Sequence, residues 1–209
     1  MSATAAATID HARLASLPPL RAGGHSENNG AMCAMEAVAY VAREPWSDHP
    51  QCACPVISAF VRAWNDGLPD EDRETILKPY IARLVGSRST KAIEERRALM
   101  AADWLVRVHT PAWLRLAGLT AHADTLSRLP EITAMAQVPT IRPAIEAARK
   151  DAAAARDAAW DAAWAAAWAA ARAAAGAAAG AAAGVKLEPT VKELKASAKV
   201  LLDRMLEAE

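Results

Sequence analysis

From residue 156 the chain repeats a four-residue unit, RDAA WDAA WAAA WAAA RAAA GAAA GAAA G, in which alanine fills most of the remaining positions. Alanine has the highest helix propensity of the amino acids. The repeat therefore predicts a long alanine-rich helix that begins between Thr140 and Pro143 and ends near Gly184. With a rise of about 1.5 Å per residue, such a helix is roughly 60 Å long.

The spacing of the repeat gives this helix two different faces. Because a helical turn takes about 3.6 residues, positions four apart advance by about 40° around the axis. The tryptophans spread over about 80° and form an aromatic face, and the glycines lie roughly opposite, where small residues let two helix backbones approach closely. Either the tryptophans cover the chain's own N-terminal domain, or the segment mediates self-association. The candidate interaction residues are Trp160, Trp164, Trp168, Gly176, Gly180 and Gly184.

The alanine-rich segment is a poor candidate for a transmembrane helix, because Asp157, Asp161 and Arg172 interrupt it and alanine is only weakly apolar. The first twenty residues lack a basic start followed by an apolar run, so we expect no secretory signal. Three cysteines, an odd number, argue against a disulfide framework and fit a reducing compartment. We therefore expect a cytoplasmic protein without a membrane span.

Helix punctuation is frequent before residue 140, whereas sustained alternation of β-branched and polar residues is absent. The spacing of apolar residues predicts a buried helix over about 31–43, and Pro79 is expected to kink or divide a later helix. The prediction is an all-α fold. It consists of an irregular helical N-terminal domain (1–139), a long Ala-rich helix (140–184) and a short C-terminal amphipathic helix (185–209).

The C-terminal segment carries its own helix signals. Pro189 is expected to end the long helix, and Thr190 with Glu193 matches a capping box for a new one. Two heptads of apolar residues are too few to be stable alone, so this helix is expected to pack on another element. The apolar positions are Val191, Leu194, Ala198, Leu201 and Met205.

Potentially reactive side chains concentrate in the stretch HSENNGAMCAMEAVAYVAREPWSDHPQCAC. Imidazole and thiolate groups bind zinc, so His49, Cys52 and Cys54 with Cys33 or His25 form a candidate zinc site. One residue separates Cys52 from Cys54, however, instead of the usual two, and no second pair follows. The main expectation is a protein without a cofactor.

Cys33 is also a weak candidate for a catalytic nucleophile. It lies near the start of a predicted helix, where the dipole favours a thiolate, and His25 or His49 could act as base. Papain-like enzymes place their cysteine similarly, but their histidine comes from a sheet, which this chain is not expected to have. The alternative is that Cys33 packs as a small apolar residue. Glu36 is expected at the helix edge, or buried with a partner such as Arg62.

The 24 basic and 24 acidic residues balance, so no overall field directs the chain toward nucleic acid or an anionic membrane. Residues 78–115 nevertheless carry eight basic and three acidic side chains. These basic side chains could contact phosphates, although acidic neighbours favour intramolecular ion pairs. Nucleic-acid binding by residues 78–115 is therefore a secondary hypothesis.

One long motif carries a family resemblance. The stretch MCAMEAVAYVAREPWSDHPQCACPVISAFVRAWNDGLPDEDRETILKPYIARLVGSRST precedes the Ala/Trp/Arg/Gly repeat and the closing LLDRMLEAE. Together they resemble an uncharacterised family of proteins from high-GC bacteria and their phages, over most of residues 24–209. The resemblance implies a bacterial or phage intracellular setting, and it implies no activity and no catalytic residues.

The leading functional hypothesis is a non-enzymatic helical protein that acts through self-association, as a homo-oligomer, or through a protein partner. One alternative is a metal-binding or thiol-dependent enzyme that uses the cluster of His25, Cys33, His49, Cys52 and Cys54. The other is a nucleic-acid-binding protein that uses residues 78–115.

Overall fold

The computed structural model describes residues 8–27, 30–170 and 176–208, and within 156–170 and 176–186 it describes the backbone alone. The described residues form an all-α fold. They contain no strand, and Leu20 and Met32 form an isolated parallel bridge. An irregular set of helices comes first, and the long alanine-rich and C-terminal helical segments follow, as the sequence predicts.

The helices are short before residue 138 and long after it. They are α1 (His11–Ala15), α2 (Ala34–Val41), α3 (Pro55–Gly67), α4 (Asp70–Asp72), α5 (Ile81–Leu84), α6 (Lys91–Trp104), α7 (Thr110–Leu116), α8 (Thr120–Ser127), α9 (Val138–Ala170) and α10 (Gly176–Glu207). Some are joined by π-helical segments, Arg73–Leu77 and Leu105–His109, or by 3-10 segments, Lys78–Tyr80 and Met135–Gln137.

Each π-helical segment lies just before a proline. Thr75 is four residues before Pro79, and Arg107 is four residues before Pro111, so each falls inside its π-helical segment. A proline ring collides with the carbonyl group four residues earlier. A π-helical turn is wider than an α-helical one and moves that carbonyl away from the ring. The predicted interruption of the helix at Pro79 is confirmed.

Contacts divide the chain into two units, the first comprising Met1–Ala98 and Leu202–Glu209 and the second Leu99–Leu201. The predicted segment boundaries at residues 139 and 184 were drawn from changes in amino-acid composition, whereas these units are defined by contacts. The predicted boundaries therefore stay predictions.

In the first unit, α2 is the central helix, and all of its residues except Tyr40 are buried. It packs against α1, α3 and α5. A helix that is apolar on all sides needs such surroundings. The sequence-predicted buried helix over about 31–43 is therefore confirmed. Other fully buried large side chains of this unit are Leu20, Ile57, Val61, Leu77, Ile81, Leu84, Leu202 and Met205.

In the second unit, α7 and α8 form a helical hairpin that packs against α9. Leu114, Ala123, Leu126 and Ala148 are the buried residues of its core. Gly118 ends α7 with a φ of +79°, a conformation that glycine adopts without steric cost.

The predicted break at Pro189 is wrong, because α10 continues through this residue from Gly176 to Glu207. A proline's φ of about −65° is already helical, so its ring costs one backbone hydrogen bond and a local clash without forcing the chain out of the helix. Of the five apolar positions predicted after it, Leu194, Ala198, Leu201 and Met205 are buried, and Val191 is half-buried.

The long alanine-rich helix begins at Val138, slightly before the predicted range, and is described to Ala170. Residues 171–175 lie outside the described part of the chain. Among the helices described, none combines the length and the apolar character that a membrane crossing requires.

Candidate functional site

The candidate reactive residues lie in the first unit, around the loop that connects α1 to α2. Side chains distant in sequence hold this loop in place. The Gly23 N–H donates to Asp66 Oδ1 at 2.8 Å, and the carbonyl of Arg21 accepts from Asn65 Nδ2 at 2.9 Å. Asn65 is fully buried on α3, so the loop is fixed from the core outward.

Glu36 is the buried carboxylate of this region, with 2% of its surface exposed. Its Oε1 accepts from the His25 backbone N–H at 2.7 Å. Its Oε2 accepts from the Cys33 N–H at 2.7 Å and lies 2.9 Å from His25 Nδ1. The suggested partner Arg62 is wrong, since its Nη1 donates to the carbonyl of Asp48 at 2.8 Å. Glu36 thus joins the loop to α2 through three hydrogen-bonding contacts.

Cys33 is the N-cap residue of α2, and its Sγ accepts from the Glu36 N–H at 3.5 Å. Burial raises the pKa of this thiol to about 12, against the opposing effect of that hydrogen bond. The nearby Glu36 carboxylate disfavours a second negative charge and adds to the rise. Although the helix N-terminus favours a thiolate, desolvation outweighs it here. The thiol therefore has the environment of a packed side chain, not that of a nucleophile.

The second part of the predicted cluster is divided between core and surface. Cys52 and Cys54 are buried free thiols. The Cys52 N–H donates to Glu44 Oε1 at 2.7 Å, and burial raises the pKa of the Cys52 thiol to about 11. The His49 side chain is 66% exposed, and its Nδ1 lies 2.5 Å from Asp48 Oδ1.

The predicted zinc site does not assemble. All five candidate ligands belong to the described residues, and within these no three His, Cys, Asp or Glu side chains form a group able to hold a metal ion. A structural zinc site needs four ligands that converge. The buried thiols and the exposed His49 imidazole do not meet this requirement.

The basic side chains of residues 78–115 are mostly neutralised by neighbours. Ion pairs join Lys78 to Glu74, Arg83 to Asp203, Arg88 to Glu94, Lys91 to Glu95, Arg107 to Asp103 and Arg115 to Asp124. A polyanion needs basic groups that are free to neutralise successive phosphates. The expectation that these residues form intramolecular pairs is confirmed.

Sequence reasoning missed an aromatic row in the second unit. The ring centroids of Trp104 and His109 are 5.0 Å apart, and those of His109 and Trp113 are 6.3 Å apart. Trp113 Nε1 donates to His109 Nε2 at 3.2 Å, and desolvation lowers the pKa of His109. In the sequence, Trp104, His109 and Trp113 are five and four residues apart, and this spacing was the available signal that their rings lie on consecutive helical turns.

The second unit also contains the exposed apolar surface. Half of the Leu105 side chain is exposed, at the start of the π-helical segment that leads into α7. Every exposed large apolar side chain identified in the described residues belongs to this unit. They are Leu105, Val108, Trp113, Met135, Leu187 and Val200.

The predicted interaction residues of the repeat lie where side chains are outside the described part of the chain. The backbone of Trp160, Trp164 and Trp168 belongs to α9, and that of Gly176, Gly180 and Gly184 belongs to α10. The predicted aromatic and glycine faces therefore stay predictions.

Comparison of the chain with family models, with curated proteins and with solved structures finds no match.

Proposed function

We propose that this chain is a non-enzymatic helical protein whose second unit mediates self-association. The observation that carries the proposal is the distribution of apolar surface. The first unit buries its large apolar side chains, whereas the exposed ones of the described residues all lie in the second. Single exposed apolar residues are ordinary, but a concentration of them in one region is typical of an interaction surface.

The densest part of this surface is the segment from Leu105 to Trp113. Leu105, Val108 and Trp113 are exposed by 50%, 40% and 39% within nine residues. Aromatic side chains are enriched in interfaces because they bury much area with little loss of conformational freedom.

The repeat belongs to the same unit, since Leu99–Leu201 includes residues 156–184. Its glycines at intervals of four would permit close approach of two helices, and identical chains pair most often around a twofold axis. We therefore favour a second copy of this chain as the partner. The resemblance to bacterial and phage proteins fits this proposal without adding an activity.

The buried thiols argue against the thiol-dependent alternative. The pKa values of Cys33 and Cys52 are raised to about 12 and about 11, so both are protonated at neutral pH. A protonated, desolvated thiol is a poor nucleophile and a poor metal ligand.

The proposal is tested by light scattering on the full chain over a range of concentrations. The double variant Leu105→Ser/Val108→Ser is expected to weaken self-association by on the order of tenfold or more, because truncating a central interface side chain costs over about 1 kcal/mol. Ala59→Ser/Ala92→Ser is the matched control, because both alanines are exposed and belong to the first unit. Equal association of both variants with the wild type would contradict the proposed surface.

Gly180→Leu tests the contribution of the repeat separately. A bulkier side chain on the glycine face is expected to weaken association if two helices approach there. A wild-type chain that is monomeric at every concentration would contradict self-association itself.

A further inference from the structure

A basic pocket of about 400 Å³ lies in the first unit between α5 and α6. It is lined by Arg83, the loop 85–89, Arg97 and Leu206. The loop carries the sequence VGSRS, and Gly86 turns it with a φ of +76°. The pocket is separate from the surface proposed for self-association and does not depend on that proposal.

Arg97 is the buried charged residue of this pocket. Only 4% of this residue is exposed. Its Nη1 donates to the carbonyl of Ser87 at 2.6 Å and its Nη2 to that of Ala208 at 3.4 Å. Its Nε is buried without an acceptor in the described part of the chain. Both oriented partners of the guanidinium are neutral carbonyl groups, and no carboxylate among the described residues pairs with it, so an anion in this pocket would supply the opposite charge that the buried guanidinium lacks.

The guanidinium groups of Arg83 and Arg88 also line this pocket. The side chains of Arg83 and Arg88 are 46% and 47% exposed. Arg83 pairs with Asp203 at 2.6 Å, and Arg88 pairs with Glu94 at 3.2 Å. A guanidinium group has five N–H donors, so each of these two groups has further donors for a ligand. Within the part of the chain that the structure describes, the three guanidinium groups of the pocket therefore pair with two carboxylates.

The loop adds neutral donors to this positive charge. Ser87 Oγ accepts from the Cys54 N–H at 3.0 Å, which leaves the Ser87 hydroxyl proton available to donate. Ser89 lies just before α6, the fourteen-residue helix Lys91–Trp104. The Ser89 N–H donates to Glu94 Oε1 at 3.4 Å, so the carboxylate of Glu94 already occupies part of this helix end.

We propose that this pocket binds the phosphate group of a small phosphomonoester. The paired N–H donors of a guanidinium group match the spacing of two phosphate oxygens. The negative charge of phosphate neutralises the positive charge of the pocket. A nucleic-acid backbone fits less well, because four of the other five basic side chains of residues 78–115 already have acidic partners. The pocket volume of about 400 Å³ can hold a phosphate group together with part of the organic group esterified to it.

The test uses inorganic phosphate as the probe and the full chain at constant ionic strength, with chloride as the comparison anion. Phosphate is expected to bind by calorimetry and to raise the melting temperature above that in chloride. Arg88→Gln should weaken phosphate binding on the order of tenfold, because it removes a charged donor. Arg96→Gln, the same charge change on an exposed arginine outside the pocket, should leave binding unchanged.

Arg83→Gln is the second variant and should weaken phosphate binding like Arg88→Gln, so the result does not depend on the folding of one variant. Identical effects of phosphate and chloride on the wild type would overturn the proposal. Binding of an oligonucleotide without terminal phosphate, in the absence of phosphate binding, would overturn it in favour of a backbone site. Phenyl phosphate binding more tightly than inorganic phosphate would support a phosphomonoester ligand.

Discussion

Replacement of Glu36 is the sharpest test of how the first unit is held together. This buried carboxylate accepts two backbone N–H groups, those of His25 and Cys33, at 2.7 Å each. The same loop is held from the other side by Trp46, whose Nε1 donates to the carbonyl of His25 at 2.7 Å. Glu36→Ala would leave the Trp46 bond intact and both backbone donors without an acceptor.

The expected cost follows from these two donors. Each buried N–H that loses its acceptor costs about 1–3 kcal/mol, so Glu36→Ala should lower the free energy of unfolding by about 2–6 kcal/mol. That is a large part of the roughly 5–15 kcal/mol typical of a folded domain. Glu36→Gln should cost less, because the amide carbonyl still accepts one bond. Glu95→Ala is the control, since Glu95 is 65% exposed and its ion pair to Lys91 should contribute below about 1 kcal/mol.

Urea unfolding followed by circular dichroism measures the loss, and hydrogen exchange of the His25 and Cys33 amides assigns it to the first unit. Exchange at both amides should accelerate in Glu36→Ala and stay unchanged in Glu95→Ala. If Glu36→Ala destabilises the chain no more than Glu95→Ala, the structural role given to this carboxylate is incorrect.

Two other predictions concern titratable groups. Burial raises the pKa values of Cys33 and Cys52, so a thiol reagent at pH 8 should leave both thiols unmodified in the native chain. After unfolding in urea, the same reagent should modify both. Rapid modification of the native chain would contradict their burial. Because desolvation lowers the pKa of His109 below 6.5, the unfolded state binds its proton more readily, so stability should fall as the pH drops through 6.5 toward 5. Melting temperatures at pH 7.5 and 5.5 measure this effect, and a His109→Gln variant with the same pH dependence as the wild type would refute it.

Local signals explain why the all-α fold could be predicted from the sequence. Asp10 is the N-cap residue of α1, and Gly118 follows the end of α7, and each residue type is favoured at its position. Pro79 interrupts a helix where expected. Pro189 shows the limit of such signals, because a proline weakens a helix without always ending it.

The candidate site could not be predicted because its interactions join distant parts of the chain. The sequence predicts that Glu36 lies either at the helix edge or buried with a partner, and its actual partner depends on how the loop at His25 folds back. Likewise, the basic pocket forms because Arg97 meets the loop 85–89 and the carbonyl of Ala208. A glycine and two serines just before a helix were the available local signal for an anion site.

Sedimentation equilibrium of the full chain tests the central claim most directly. The monomer has a mass of 22.1 kDa. Self-association through the second unit predicts an average mass that rises above this value with concentration, toward that of a dimer or a larger assembly. A mass of 22.1 kDa at every concentration would contradict the claim.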